Sequence, residues 1–144
     1  MKKYTIHTDG GSRGNPGPAA IGVVIKKSDE GLKKEYGESI GRATNNEAEY
    51  GAVIFALKKM KQLVGKEEAG KALVEVHADS ELLVRQLGGQ YKVVDEKIQK
   101  LFLEIWNLKL DFGEVVFKHV PREENKDADR MVNLALDKEL HKLL

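Results

Sequence analysis

Residues 4–18 read Tyr4-Thr5-Ile6-His7-Thr8-Asp9-Gly10-Gly11-Ser12-Arg13-Gly14-Asn15-Pro16-Gly17-Pro18. A β-rich run delivers one carboxylate, Asp9, and then passes into four glycines, two prolines and an asparagine. An acid at a strand end, followed by backbone able to approach a ligand closely, suits a cation and a phosphate-bearing partner. Asp-Gly-Gly is also an ordinary turn. The positions of the other acids therefore decide the reading.

Outward from this stretch, residues 3–9 read as a first strand and Ile21-Gly22-Val23-Val24-Ile25-Lys26 as a second. A polar turn at Ser28-Asp29-Glu30-Gly31 leads into a third over 33–40, and the short connections predict an antiparallel meander. Thr44-Asn45-Asn46 then caps a helix over about 46–63, whose first turn carries Glu47 and Glu49 at the positive end of the dipole. Val53, Ala56, Leu57, Met60 and Val64 form its apolar stripe. A charged linker over 65–71 precedes a fourth strand, 73–78, which ends in Asp79-Ser80. A short helix over 81–87 stops at Gly88-Gly89; a second covers 95–109. The fifth strand is 115–120, a polar loop follows over 121–125, and a last helix runs from about 126 to 140, with fraying expected from Lys138 onward. The order βββ-α-β-α-α-β-α predicts an α/β fold: a mixed five-stranded sheet, three antiparallel strands then parallel crossovers, with helices packed on it.

At 144 residues the chain fits one domain, expected over 1–144. Hydrophobic content of 41% and charged content of 33% are those of a globular protein. The absence of cysteine excludes disulfides and thiolate metal sites, and suits a reducing cytoplasm. Met1-Lys2-Lys3 leads straight into the first strand, so no leader is expected, and no apolar run approaches a membrane span. A net charge of +1 excludes a grossly basic coat protein, but not an enzyme that meets nucleic acid through a local patch.

Asp9 and Asp79 each follow a strand. If strands 1 and 4 are parallel neighbours, both carboxylates emerge at one sheet edge, where open α/β sheets bind ligands. Glu49 shares a helical face with Val53, Ala56 and Met60, the face that must meet the sheet. A carboxylate there is unfavourable unless a cation neutralises it. Glu47 points roughly the other way. Asp129 lies in the first turn or so of the last helix with Val132 and Leu136 on its side, while Asp127 should face solvent. Hard oxygen donors without Cys or a His cluster imply Mg²⁺, with Mn²⁺ as a substitute. Several carboxylates at one edge suit a two-metal phosphoryl-transfer site, in which one ion activates water and the other stabilises the leaving 3′ oxygen.

Thr8-Asp9-Gly10-Gly11…Gly14-Asn15-Pro16-Gly17, Thr44-Asn45-Asn46-Glu47-Ala48-Glu49-Tyr50, Asp79-Ser80 and Asn125-Lys126-Asp127-Ala128-Asp129 resemble, in order and spacing, the motifs of type 1 ribonuclease H, in its archaeal-like and plant-like branch. The resemblance spans the whole chain. It implies a ribonuclease H-like fold, a catalytic and metal-binding quartet of Asp9, Glu49, Asp79 and Asp129, and Mg²⁺-dependent cleavage of the RNA strand of RNA–DNA hybrids to 5′-phosphate and 3′-hydroxyl ends. It also implies substrate contacts from Gly10, Gly11, Asn15, Thr44, Asn45, Asn46, Glu81 and Asn125, since amides can bond the 2′-hydroxyls that distinguish RNA. Two ions per site and a monomer are expected. Glu81 stands where the bacterial form has glutamine. His119 falls near the position of a mobile histidine, though Val120-Pro121 should hold it at a strand end. The basic, tryptophan-rich protrusion of some members is missing, and no hybrid-binding domain is expected ahead of residue 1; modest, salt-sensitive affinity follows.

Each feature has a plainer alternative. Asp9 and Asp79 could be turn residues, Glu49 a dipole partner, and Asp129 a solvated acid. His7 and His77 share strand faces with Asp9 and Asp79 and could ligate zinc, but buried strand histidines are more often simply hydrogen-bonded. Trp106 and Phe102 read as core, and the lysines at 58, 59, 61 and 66 as a solvated face. The rival functions are a non-catalytic binder of hybrid or double-stranded RNA, and a DNA-cutting nuclease of the same superfamily.

Overall fold

The computed structural model describes residues 2–27 and 31–143; the turn expected at 28–31 lies, apart from Gly31, outside the described residues. Strands β1 (Lys2–Ser12), β2 (Gly17–Lys27) and β3 (Lys33–Ala43) are joined by short connections and pair antiparallel. Helices α1 (Asn45–Val64) and α2 (Lys66–Ala69) then carry the chain over to β4 (Ala72–Ala78), and α3 (Glu81–Leu87) and α4 (Glu96–Lys109) carry it to β5 (Glu114–His119). A single 3₁₀ turn, Arg122–Glu124, precedes the last helix, α5 (Lys126–Leu143). The sheet order is β3-β2-β1-β4-β5, with β1–β4 and β4–β5 parallel. The mixed five-stranded sheet expected from the element order is therefore the observed one.

Helix α1 begins where the sequence places its cap. Thr44 Oγ1 accepts the Glu47 N–H at 3.1 Å, and Glu47 Oε1 accepts the Thr44 N–H at 2.9 Å. This reciprocal pair satisfies two amide groups at the helix start. Ala52, Val53, Ala56, Leu57 and Met60 are buried with Ile6, Ile21, Val74 and Val76 in the main core. On the opposite face a smaller cluster, Ala20, Val132, Ala135 and Leu136, seats α5. That seat is unusually close: a Cβ on Gly22 would stand 2.0 Å from the Ala128 carbonyl oxygen, so only glycine admits the helix there.

Several details differ from the sequence reading, among them a second strand that starts at Gly17 and a third that runs to Ala43. β1 does not end at Asp9, because Gly10, Gly11 and Ser12 continue the ladder against Ile21, Ala20 and Ala19 of β2. Pairing with β4 stops at Thr8, so the strand ends on one side only. The expected linker over 65–71 contains the one-turn helix α2, anchored by buried Ala69. α5 continues to Leu143 where fraying was expected, and Trp106 is 52% exposed rather than core, while Phe102 packs partly buried against the core. Of the four lysines expected on a solvated face, Lys58 and Lys66 are exposed, and three also make intramolecular contacts: Lys58 pairs with Glu104, Lys61 with Asp111, and Lys59 lies over Tyr36 and Phe55.

Candidate active site

Parallel pairing of β1 and β4 brings Asp9 and Asp79 to one edge: Thr8 and Ala78 are the last partners in register, and each acid follows directly. The third carboxylate comes from above. Gly10 passes so close to α1 that a Cβ on it would stand 2.3 Å from the Ala48 carbonyl, and the next residue along the helix is Glu49. Oxygens of Asp9, Glu49 and Asp79 consequently lie within 4.8 Å of one another. Asp129, exposed in the first turn of α5, lines the same cavity and approaches Asp9 closely enough to act on its charge. The cavity has a volume of about 690 Å³.

Such an arrangement is electrostatically unfavourable in the bare protein. Burial, with Asp79 and Asp129 adding repulsion, pushes Asp9 up to about 7. Burial again, followed by Asp9 and Asp79, pushes Glu49 up to about 9. Glu49 Oε2 is buried without a hydrogen-bond partner. A buried lone acceptor is costly, and here it faces other anions rather than a lysine or arginine. The all-oxygen donor set, repelling itself and holding one unused acceptor, fits a hard divalent cation.

The other residues singled out in the sequence fall into distinct groups. Gly11 and Asn45 line the cavity. Asn15 Oδ1 accepts the Asn45 N–H at 3.0 Å, and Asn45 Oδ1 accepts the Ser12 N–H at 2.9 Å. The loop and the helix start are thus laced together. Gly10 lines the cavity too, but its lack of a side chain serves the approach of α1, and its N–H is held by Asp9 Oδ1 at 3.0 Å. Thr44 is engaged as the helix cap; with Asn46 it borders a different hollow, shared with Asp95 and Lys97. Glu81 accepts from Arg85 Nε at 2.8 Å, which offsets its charge. Asn125, expected at the substrate, is instead 1% exposed: its Nδ2 donates to the Thr8 carbonyl at 2.9 Å, and its Oδ1 lies 3.3 Å from His7 Nδ1. An amide engaged in this way inside the protein is a strut.

Of the histidines, His7 and His77 are hydrogen-bonded, to Asn125 and to Glu75 at 3.1 Å, and their rings meet edge to face with centroids 4.9 Å apart. They form no metal cluster among the described residues. His119 is exposed at the end of β5, in register with Ala78.

Residues 7–135 match the family described as reverse transcriptase-like. The chain is 41% identical, over 90% of its length, to ribonuclease HI of Halobacterium salinarum, and spans 62% of that relative. It is 40% identical to a bifunctional protein of Mycobacterium tuberculosis, of whose length it spans only 36%. Among solved structures, LC11 ribonuclease H1 in complex with an RNA/DNA hybrid superposes with a TM-score of 0.89 at 44% identity, covering 95% of this chain and 99% of that one. The chain belongs to the type 1 ribonuclease H family.

Within this ribonuclease H frame, three cations were not picked out from the sequence. Arg122, on the 3₁₀ turn, and Lys126, at the start of α5, line the acidic cavity, as does Arg13, which pairs with Asp137 at 2.6 Å. The sequence offered only one signal for Arg122 and Lys126, their place in the polar segment between the last strand and the last acid. Proximity to Asp79 arises from β5 lying beside β4, which no local pattern specifies.

Proposed function

We propose that this chain is an endoribonuclease that hydrolyses the RNA strand of RNA–DNA hybrids, leaving 5′-phosphate and 3′-hydroxyl ends. The observation that carries the reading is the meeting of Asp9, Glu49 and Asp79 within 4.8 Å, with a buried, unused Glu49 oxygen among them. The family membership and the hybrid bound by LC11 ribonuclease H1 support the choice of substrate.

Two Mg²⁺ ions, replaceable by Mn²⁺, would be held by Asp9, Glu49, Asp79 and Asp129, and when bound they supply an activated water and charge stabilisation at the scissile phosphate. The protein's own task is positioning. Asn15 and Asn45 each use the side-chain oxygen to brace the loop, which leaves their NH₂ groups to donate to 2′-hydroxyls of the RNA strand. Gly11 offers smooth backbone on the cavity floor. Arg122 and Lys126 offer cationic side chains to the phosphates on either side of the cut. Glu81, with its charge already met by Arg85, can accept from a 2′-hydroxyl. All four acids come from one chain, which supports a monomer as the active unit, with residues 1–144 as one catalytic domain; the absence of cysteine supports action in the cytoplasm.

The test is a panel of labelled RNA–DNA hybrid, RNA duplex, DNA duplex and single strands, each with Mg²⁺, Mn²⁺ or EDTA. RNA-strand cleavage in the hybrid, only with metal, is expected. Cutting of DNA duplex would favour a DNA nuclease of the superfamily, and metal-independent binding without cutting would favour a recognition module.

A further inference from the structure

Asn125 sends hydrogen bonds in three directions. Its Nδ2 donates to the Thr8 carbonyl at 2.9 Å, its Oδ1 accepts from His7 Nδ1 at 3.3 Å, and its backbone carbonyl accepts the Asp129 N–H at 3.1 Å. Thr8 is the residue before Asp9. One buried side chain therefore ties the strand that carries the first acid to the helix that carries the fourth.

Beneath α5 the rest of the seat is apolar or smooth; the other polar ties from α5 to the strands and the loop after β1, Arg13 to Asp137, Lys33 to Asp127 and Arg130 to Glu35, run between solvent-exposed side chains and hold position weakly. Gly22 sets how near Ala128 comes to the sheet, and Val132, Ala135 and Leu136 supply contacts without directional preference. Contacts of that kind fix the height of a helix above a sheet better than its slide along it. Hydrogen bonds depend steeply on angle and distance and so fix the slide. Since Asn125 Nδ2 is committed to Thr8, its other bond must use Oδ1 as acceptor, and His7 therefore donates from Nδ1–H. The His7 ring is braced in turn by the edge-to-face contact with His77, which bonds Glu75 at 3.1 Å.

We propose that His7 and Asn125 form a clamp between β1 and α5 that sets the reach of Asp129 toward Asp9, with His7 a positioning residue acting through Asn125. The inference rests on the reading of the four acids as metal ligands, and it reassigns Asn125 from substrate contact to support. His7 is itself two residues from Asp9 on the same strand face, so the clamp spans the site from behind without touching the cavity floor.

The experiment measures Mg²⁺ binding by calorimetry without nucleic acid, together with kcat and KM on a hybrid, in Asn125→Ala, His7→Phe, His7→Asn and the control Ala135→Gly. Ala135→Gly loosens α5 without touching the clamp. Asn125→Ala should weaken Mg²⁺ binding by about 10–100-fold, as loss of a group orienting a metal ligand does, and lower kcat with little change in KM. His7→Phe should act in the same direction by a smaller factor. His7→Asn should restore binding, because its amide nitrogen stands where Nδ1 stood. Mg²⁺ affinity in Asn125→Ala equal to that of Ala135→Gly, or a raised KM at unchanged kcat, would overturn the clamp. A His7→Asn as weak as His7→Phe would remove His7 from it. Because Mg²⁺ binding is read without substrate, a failure of the hybrid assignment would show separately, as metal binding without hybrid cleavage.

Discussion

Gly10 of β1 and Ala48 of α1 are in backbone contact: a Cβ on the glycine would lie 2.3 Å from both the carbonyl carbon and oxygen of Ala48. This contact decides how far Glu49 stands from Asp9. Gly10→Ala must push the helix away, an overpacking that costs about 1–3 kcal/mol. We expect a lowered Tm and a fall in kcat larger than the stability loss explains, since the carboxylates are pulled apart. Activity at the parent level with an unchanged Tm would show the contact to be dispensable.

Neutralising one acid should separate function from stability. Asp9→Asn or Asp79→Asn is expected to abolish cleavage. In EDTA, however, Asp9→Asn should raise stability by about 1 kcal/mol or more at neutral pH, since each pKa unit of unfavourable shift corresponds to about 1.4 kcal/mol. Asp9 is raised from 3.8 to about 7 and Glu49 from 4.5 to about 9 in the folded state, so folding favours their protonated forms. Stability from these groups is fully present below pH about 4 and declines as pH rises through 7 and then 9. Chemical denaturation of the metal-free protein across that range should follow this slope in the parent, and a shallower one in Asp9→Asn.

Metal binding should release protons for the same reason. Burial and mutual repulsion hold Asp9 and Glu49 toward their protonated forms at neutral pH, and a cation must displace those protons to be bound. Calorimetry in buffers of different ionisation enthalpy should detect release near neutral pH, vanishing above about pH 9 as Glu49 ionises. Binding without proton release at pH 7 would contradict the raised values.

Glu75 predicts the opposite behaviour on the acid side. A hydrogen bond from His77, then one from Lys3, and then Lys118 hold it down to about 2 from 4.5. Its contribution is present above pH about 4.5 and is lost as pH falls through about 2. Glu75→Gln should flatten the stability curve over that window while leaving the pH 7–9 slope intact. Equal acid sensitivity in parent and variant would count against the ion cluster.

Hybrid binding should be modestly salt-dependent. Arg122 and Lys126 face the cavity, while Arg85 is occupied by Glu81 and Gln90. With two or three phosphates neutralised, the slope of log K against log salt should be roughly −2 to −3, and Arg122→Ala should reduce it by about one. A slope near that of a strongly basic binder would require a contact surface elsewhere on the chain.

The sequence by itself determined the order of the five strands and the four longer helices, the Thr44 cap, and the placing of Glu49 rather than Glu47 toward the sheet, because these depend on spacing along one helix or strand. Periodicity and capping are local, and Glu49 betrays itself by lying on the face that must be buried. What the local pattern could not decide was which backbones come into contact. Gly10 and Gly11, read as a loosened turn, are in fact ladder residues, and Gly10 is kept free of a side chain so that α1 can rest on β1, as Gly22 within the second strand lets α5 rest on β2. Asn125, read among the substrate contacts, is folded inward because β1 offers it a carbonyl and an imidazole from residues 117 and 118 positions away. Trp106 stays exposed because the buried side of α4 is already filled by Ile98 and Ile105. Such outcomes depend on the distance between elements remote in sequence, and only close packing of the folded chain sets that distance.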